Sequence, residues 1–319
     1  MRRPHLPSRR RAAGYTLVEL MVTLVLTLLL LAASLSFYMM SRSSYATIDD
    51  SANLQERGAF AMSVVTRLLQ QTAFTPMSPD GLGGMMTVSD AMIFGRDACS
   101  SPQVVTDANG VESFNCGAGV PVNNSDAVMI RFFGVSGADG KTPDGSVVDC
   151  SGQSVAGFTD ADQAAQQRSL SVLYVATGSN GKPSLWCQYR QRKADGTEDL
   201  ANYVAQELVP GVEAFQVLYG VGLNSDEVPD KYVPASQIAT AADWKTVLTA
   251  KVSMVIRTDN ASANAEEAGT FSLFGPLGAN VADASFQPKE DLKSARKLFT
   301  ATVQMRNYLS CFKDDPSCM

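Results

Sequence analysis

The chain has 319 residues, 45% of them hydrophobic and 18% charged, and a formal net charge of −6. Its one histidine, His5, precedes the first apolar run, so the body of the chain has neither a histidine base for serine or cysteine catalysis nor a histidine metal ligand. Without the five arginines of the first fourteen residues the balance is 21 basic against 32 acidic residues, near −11; this disfavours direct nucleic-acid binding, and no cofactor signature is present.

Arg2, Arg3, Arg9, Arg10 and Arg11 lead into Gly14, and the 26 residues from Tyr15 to Met40 carry no charge except Glu19. At ~1.5 Å per residue such a helix crosses the hydrocarbon core of a bilayer. The arginines keep their own side cytoplasmic, which exports everything after Met40. A secretory signal would place small residues after a shorter apolar core, whereas here they precede a long one. Cutting after Gly14 would remove the charged leader, 1–14, and keep the span, 15–40, as part of the mature chain.

A carboxylate deep in an apolar helix costs roughly 2.5 to 3.5 kcal/mol and calls for a partner. If the bond after Gly14 is cut, Tyr15 gains a free ammonium, and that cation on a neighbouring copy can pair with Glu19. Alternatively, Glu19 sits at the headgroup level near the cytoplasmic end and needs no partner. The run Gly14-Tyr15-Thr16-Leu17-Val18-Glu19 with its apolar continuation resembles the class III signal of type IV pilins and type II secretion pseudopilins. That resemblance implies cleavage by prepilin peptidase after Gly14, N-methylation of Tyr15, and a role for Glu19 in subunit assembly. Tyr15 stands where Phe is commonest and keeps the aromatic ring.

Beyond the span, Leu54, Ala61, Val64, Val65, Leu68 and Leu69 recur with a helical period. One helix is therefore expected from Tyr15 to about Gln71, about 85 Å long, with Gly58 as a local weak point. The segment 41–75 is its amphipathic continuation, closed by Pro76, Pro79, Gly81, Gly83 and Gly84. The remainder, 76–319, reads as a β-rich head of about 244 residues. Strands are expected at 126–133, 169–176, 184–190, 212–219, 251–257 and 299–306, from their β-branched and aromatic content. Asn180-Gly181 favours a hairpin between the second and third, and a short helix is expected over 241–248. The fold class is α+β, a long N-terminal helix packed on an antiparallel sheet.

Six cysteines, Cys99, Cys116, Cys150, Cys187, Cys311 and Cys318, all follow the span, and an even count in an oxidising compartment reads as disulfides. Six cysteines allow 15 pairings, among which sequence alone does not choose; short loops suggest Cys99 with Cys116 and Cys311 with Cys318, the remaining pair then being Cys150 with Cys187, and buried free thiols are the alternative reading. The acidic loop 224–230 offers Asp226, Glu227 and Asp230 as calcium ligands, but it lacks EF-hand spacing and glycine and reads as a solvated loop. Trp186 and Trp244 lie beside apolar runs and read as core.

Leu208 to Gly220, Asp243-Trp244 before Val252 to Arg257, and Phe299 to Asn307 are similar to the PilW-type minor pilins. This resemblance implies a type IV pilin-like fold and an assembly component, not an enzyme. Its implied partners are prepilin peptidase, the major and other minor pilins, a PilY-type tip adhesin, and inner-membrane lipid before assembly. The implied place is the inner membrane of a Gram-negative bacterium with a periplasmic head, then the pilus, in support of pilus biogenesis, twitching motility and adhesion. The alternatives are a type II secretion pseudopilin and a membrane-anchored periplasmic binding head.

Overall fold

The computed structural model describes residues 14–76, 91–106, 112–159, 164–224, 228–261 and 269–307. The chain divides into two compact units between Asp49 and Asp50.

The first helix, α1, runs Leu17–Gln71 and contributes to both units. In the first unit every residue from Leu17 to Met40 is exposed. The serine and threonine hydroxyls within this apolar run bond carbonyls of the helix itself. Thr23 Oγ1 donates to the Leu20 carbonyl at 3.0 Å, Ser34 Oγ to Leu30 at 2.8 Å and Ser36 Oγ to Ala32 at 2.9 Å. No hydroxyl in that set needs water, as a hydrocarbon surrounding requires.

In the second unit the helix buries Leu54, Gly58, Ala61, Val64, Val65, Leu68 and Leu69, one stripe at three- and four-residue spacing. It stops at Gln71, with Ala73 in the left-handed region (φ 60°) and its N–H donating to the Arg131 carbonyl at 3.1 Å. The stop is therefore a tertiary one, ahead of Pro76. Pro79, Gly81, Gly83 and Gly84 lie outside the described residues.

A five-stranded antiparallel sheet has the order β1-β4-β5-β6-β7. Its strands are β1 Ile93–Arg96, β4 Ala127–Phe132, β5 Ser169–Thr177, β6 Pro183–Arg192 and β7 Glu198–Pro210. A four-stranded antiparallel sheet has the order β13-β10-β8-β9. It comprises β8 Val212–Val221, β9 Lys231–Val233, β10 Val247–Ala261 and β13 Ser294–Gln304. Two sheets stand where the sequence suggested one. The main core joins the buried stripe of α1 to their inner faces, through Ile130, Leu173 and Leu185 from the first and Phe215, Val252 and Met254 from the second.

The outer faces are covered as well. The hairpin of β2 Pro102–Thr106 and β3 Glu112–Cys116 lays Phe114 with Met129, Val172 and Tyr174. The small pair β11 Phe271–Ser272 and β12 Ser285–Phe286, with Leu273 and Phe274, covers Leu218 and Val255. Under the hairpin, Glu112 is buried between Arg131, whose Nη1 lies 3.4 Å from Oε2, and Arg190. Among the described residues the head also has two short α-helices: α2, Ala164–Gln167, and α3, Ala241–Trp244. The latter is shorter than the expected 241–248, because β10 begins at Val247 and claims the last residues for its pairing with Val221.

Several links fasten α1 to the second sheet, among them a hydrogen bond from Lys297 of β13 to Gln55. Gly58 is so close to Phe299 of β13 that a Cβ there would lie 2.0 Å from Cζ of the ring. Arg57 pairs with Asp259 at 2.6 Å, and this hydrogen-bonded guanidinium holds the Asp259 carboxyl below its ordinary range. Asn307 Nδ2 donates to the carbonyls of Gln70 at 2.9 Å and Thr72 at 3.2 Å, at the end of the helix. Between the sheets, the Asp126 carboxylate accepts the Val217 N–H of β8 at 2.9 Å and the Ala98 N–H at 3.3 Å, while the Asp126 N–H donates to the Phe215 carbonyl at 2.8 Å.

Candidate functional site

The start of α1 gathers Gly14, Tyr15 and Glu19. Gly14 and Tyr15 precede the helix in exposed chain, with Tyr15 84% exposed and open space where a Cβ of Gly14 would stand. The peptide bond between them is accessible. Thr16 is the cap: its carbonyl accepts the Leu20 N–H at 3.1 Å, and its Oγ1 accepts the Glu19 N–H at 3.3 Å. Glu19 reaches back, its Oε2 accepting the Thr16 N–H at 3.3 Å and the Thr16 hydroxyl at 3.4 Å.

This reciprocal pair is a capping box, in which Thr and the Glu three residues later each satisfy a donor that the first turn leaves free. The letters Thr16-Leu17-Val18-Glu19 carry that signal, and reading Glu19 only as a costly charge in the span passes over it. The bonds are long and their donors neutral, so they hold the carboxylate less firmly than a cation would. A carboxylate also has lone pairs beyond those two bonds. The site thus presents an exposed Gly14–Tyr15 bond, a capped helix, and a carboxylate with lone pairs left for a further donor.

In the head, disulfides join Cys99 to Cys116 across the base of the β2–β3 hairpin, and Cys150 to Cys187, tying the loop before α2 to β6. Cys311 and Cys318 lie outside the described residues, as do Asp226 and Glu227 of the acidic loop. Asp230 is described, and its carboxylate closes that loop by accepting the Leu223 N–H at 2.6 Å. Among the described residues no group of three or more His, Cys, Asp or Glu side chains could hold a metal ion. Trp244 is buried and Trp186 half-buried.

Comparison with known proteins bears on both ends of the chain. A family model described as type IV pilus-assembly protein W matches residues 172–307. A model of the prokaryotic N-terminal methylation motif matches residues 9–35, which include Gly14, Tyr15 and Glu19. No curated protein matches the chain. Among solved structures, a type IV-like pilin from Thermus thermophilus is similar at 13% identity, covering 80% of this chain and 98% of that one, with a TM-score of 0.37.

Proposed function

Because this chain is a PilW-type type IV pilin, with a methylation motif ahead of its PilW-type region, we propose that it is a minor pilin that joins a priming or tip complex of the pilus. One observation carries the reading: α1 leaves every residue from Leu17 to Met40 exposed while its later turns are locked into the head. A helix built this way has one half for lipid and then for other helices, and one half for its own domain.

The mechanism is assembly, not turnover. In the inner membrane the apolar half spans the bilayer with the head on the periplasmic side. Prepilin peptidase cuts after Gly14, and the new Tyr15 amine is methylated. When helices pack side by side, that ammonium on one copy replaces the neutral donors of Thr16 on Glu19 of its neighbour, and the charge pair sets the register between subunits. The partners are the major pilin, other minor pilins and a tip adhesin, and the outcome is support of pilus biogenesis, twitching motility and adhesion.

Mass spectrometry of the N-terminal peptide from native membranes, together with the filament content of variants, tests this. The peptide should begin at methylated Tyr15. Gly14→Ala should leave the leader attached. Glu19→Ala should still be cleaved but enter filaments at least about tenfold less, the loss expected for an interaction of about 1.4 kcal/mol. An intact leader in cells with active peptidase would overturn the processing step, and normal incorporation of Glu19→Ala would overturn the pairing.

A further inference from the structure

Beside β1, which is an edge strand of its sheet, lies a cleft of about 170 Å³. Phe94, Phe114, Ile238 and Trp244 give it apolar walls, and Arg96 and Thr240 give it a polar side. These walls come from separate segments, each held by its own bonds. The Asp97 carboxylate accepts the N–H groups of Ala235 and Ser236 at 2.9 Å each, which fixes the turn before Ile238. Thr240 and Asp243 form a capping box that opens α3 and so sets Trp244. The Trp244 ring meets Tyr219 edge-on, with centroids 4.8 Å apart, and lies 5.9 Å from Phe94. Such a site loses little freedom when it is filled.

Arg96 is exposed, and its Nε donates to the Phe114 carbonyl at 3.3 Å, which holds the guanidinium beside the cleft. Among the described residues it has no ion-pair partner, although the chain carries 32 acidic residues. The neighbouring carboxylates of Asp97 and Asp243 are occupied by backbone N–H groups.

Size and charge together select the occupant. The volume falls below the roughly 300 to 1,000 Å³ of small-molecule sites and suits a single inserted side chain. Aromatic walls favour an apolar one, and a planar guanidinium favours a carboxylate, which it can hold through two parallel hydrogen bonds. An apolar side chain and a carboxylate occur on one residue only at the C-terminus of a polypeptide. Among the described residues no strand pairs with the far side of β1, which gives the backbone of such a residue a surface to lie along. We propose that this cleft is a binding site for the C-terminal residue of a partner polypeptide that ends in an apolar side chain, with Arg96 holding its terminal carboxylate. The inference is independent of the assembly reading, since no residue of α1 takes part.

The test uses the full chain in lipid nanodiscs and dye-labelled Gly-Ser peptides ending in Leu, Val or Phe, each as the free acid and as the C-terminal amide, with empty nanodiscs as the blank. At least one free acid should bind saturably, and its amide should bind at least about tenfold more weakly. Arg96→Gln should produce a loss of similar size. Ser113→Trp, at an exposed position lining the cleft, should block binding by filling it. Equal affinity for acid and amide, unchanged binding by Arg96→Gln, or no saturable binding by any free acid would overturn the proposal.

Discussion

At Gly58 the absence of a side chain decides how α1 meets the second sheet, because the half-buried ring of Phe299 occupies the space where a Cβ would stand, 2.0 Å from its Cζ. Gly58→Ala would gain about 1 kcal/mol of helix propensity and incur an overpacking cost of about 1 to 3 kcal/mol. The net expectation is a loss of about 1 kcal/mol, since the facing ring is held on a strand and must shift against its neighbours. Denaturant unfolding of Gly58→Ala, and of the same change combined with Phe299→Leu, measures this; the second change should restore part of the loss. A more stable Gly58→Ala protein would mean that the ring moves freely. From the sequence, Gly58 reads as a weak point in the helix, because its partner lies in the last described strand and no local pattern connects the two. Glu19 shows the opposite case. Its capping box is carried by the four letters Thr16-Leu17-Val18-Glu19 that begin the helix.

The two sheets meet at a buried acid. Burial pushes the Asp126 carboxyl well above its ordinary value of 3.8, the charges of Asp97 and Asp283 add to the rise, and the N–H groups of Val217 and Ala98 oppose it. A folded-state value above the unfolded one means stability that is fully present below 3.8 and lost as pH rises through the folded value. Asp126→Asn cannot ionise and should not show that loss. Unfolding free energies over a pH series should therefore fall for the unmodified protein relative to Asp126→Asn as pH rises from 3.8 towards neutrality; parallel profiles would remove Asp126 as the cause. Among the strands, those legible in the sequence are the ones whose β-branched and aromatic runs build the inner faces, such as β5, β8 and β10. The edge strand β7 is not legible, because its mostly exposed or half-buried positions mix Glu, Asn and Gln with Leu and Val. The hairpin of β2 and β3 is missed for a similar reason: its strands are five residues each and largely exposed. The cleft beside β1 escapes sequence reading entirely, since β1, β3 and the segment 235–244 come together only in the folded head.

For the molecule as a whole, the two units answer to different solvents. The exposed residues from Leu17 to Met40 form a contiguous apolar surface far beyond what a soluble monomer tolerates, while the head buries its own core. A chain beginning at Asp50 is expected to remain monomeric without detergent and to keep the disulfides Cys99 to Cys116 and Cys150 to Cys187, as size-exclusion chromatography and non-reducing peptide mapping would report. Aggregation of that fragment would show that the head depends on residues before Asp50. The same architecture orders events in time. The outer end of α1 is closed by Asn307, and its Gly58 notch is filled by Phe299, so an early segment of the head is completed by one that is synthesised much later. During synthesis the stripe from Leu54 to Leu69 emerges first and waits for β8, β10 and finally β13 before it is fully covered. Folding of the head thus waits for β13, and a chain stalled before it presents an uncovered helix face to whatever proteases and chaperones meet it first.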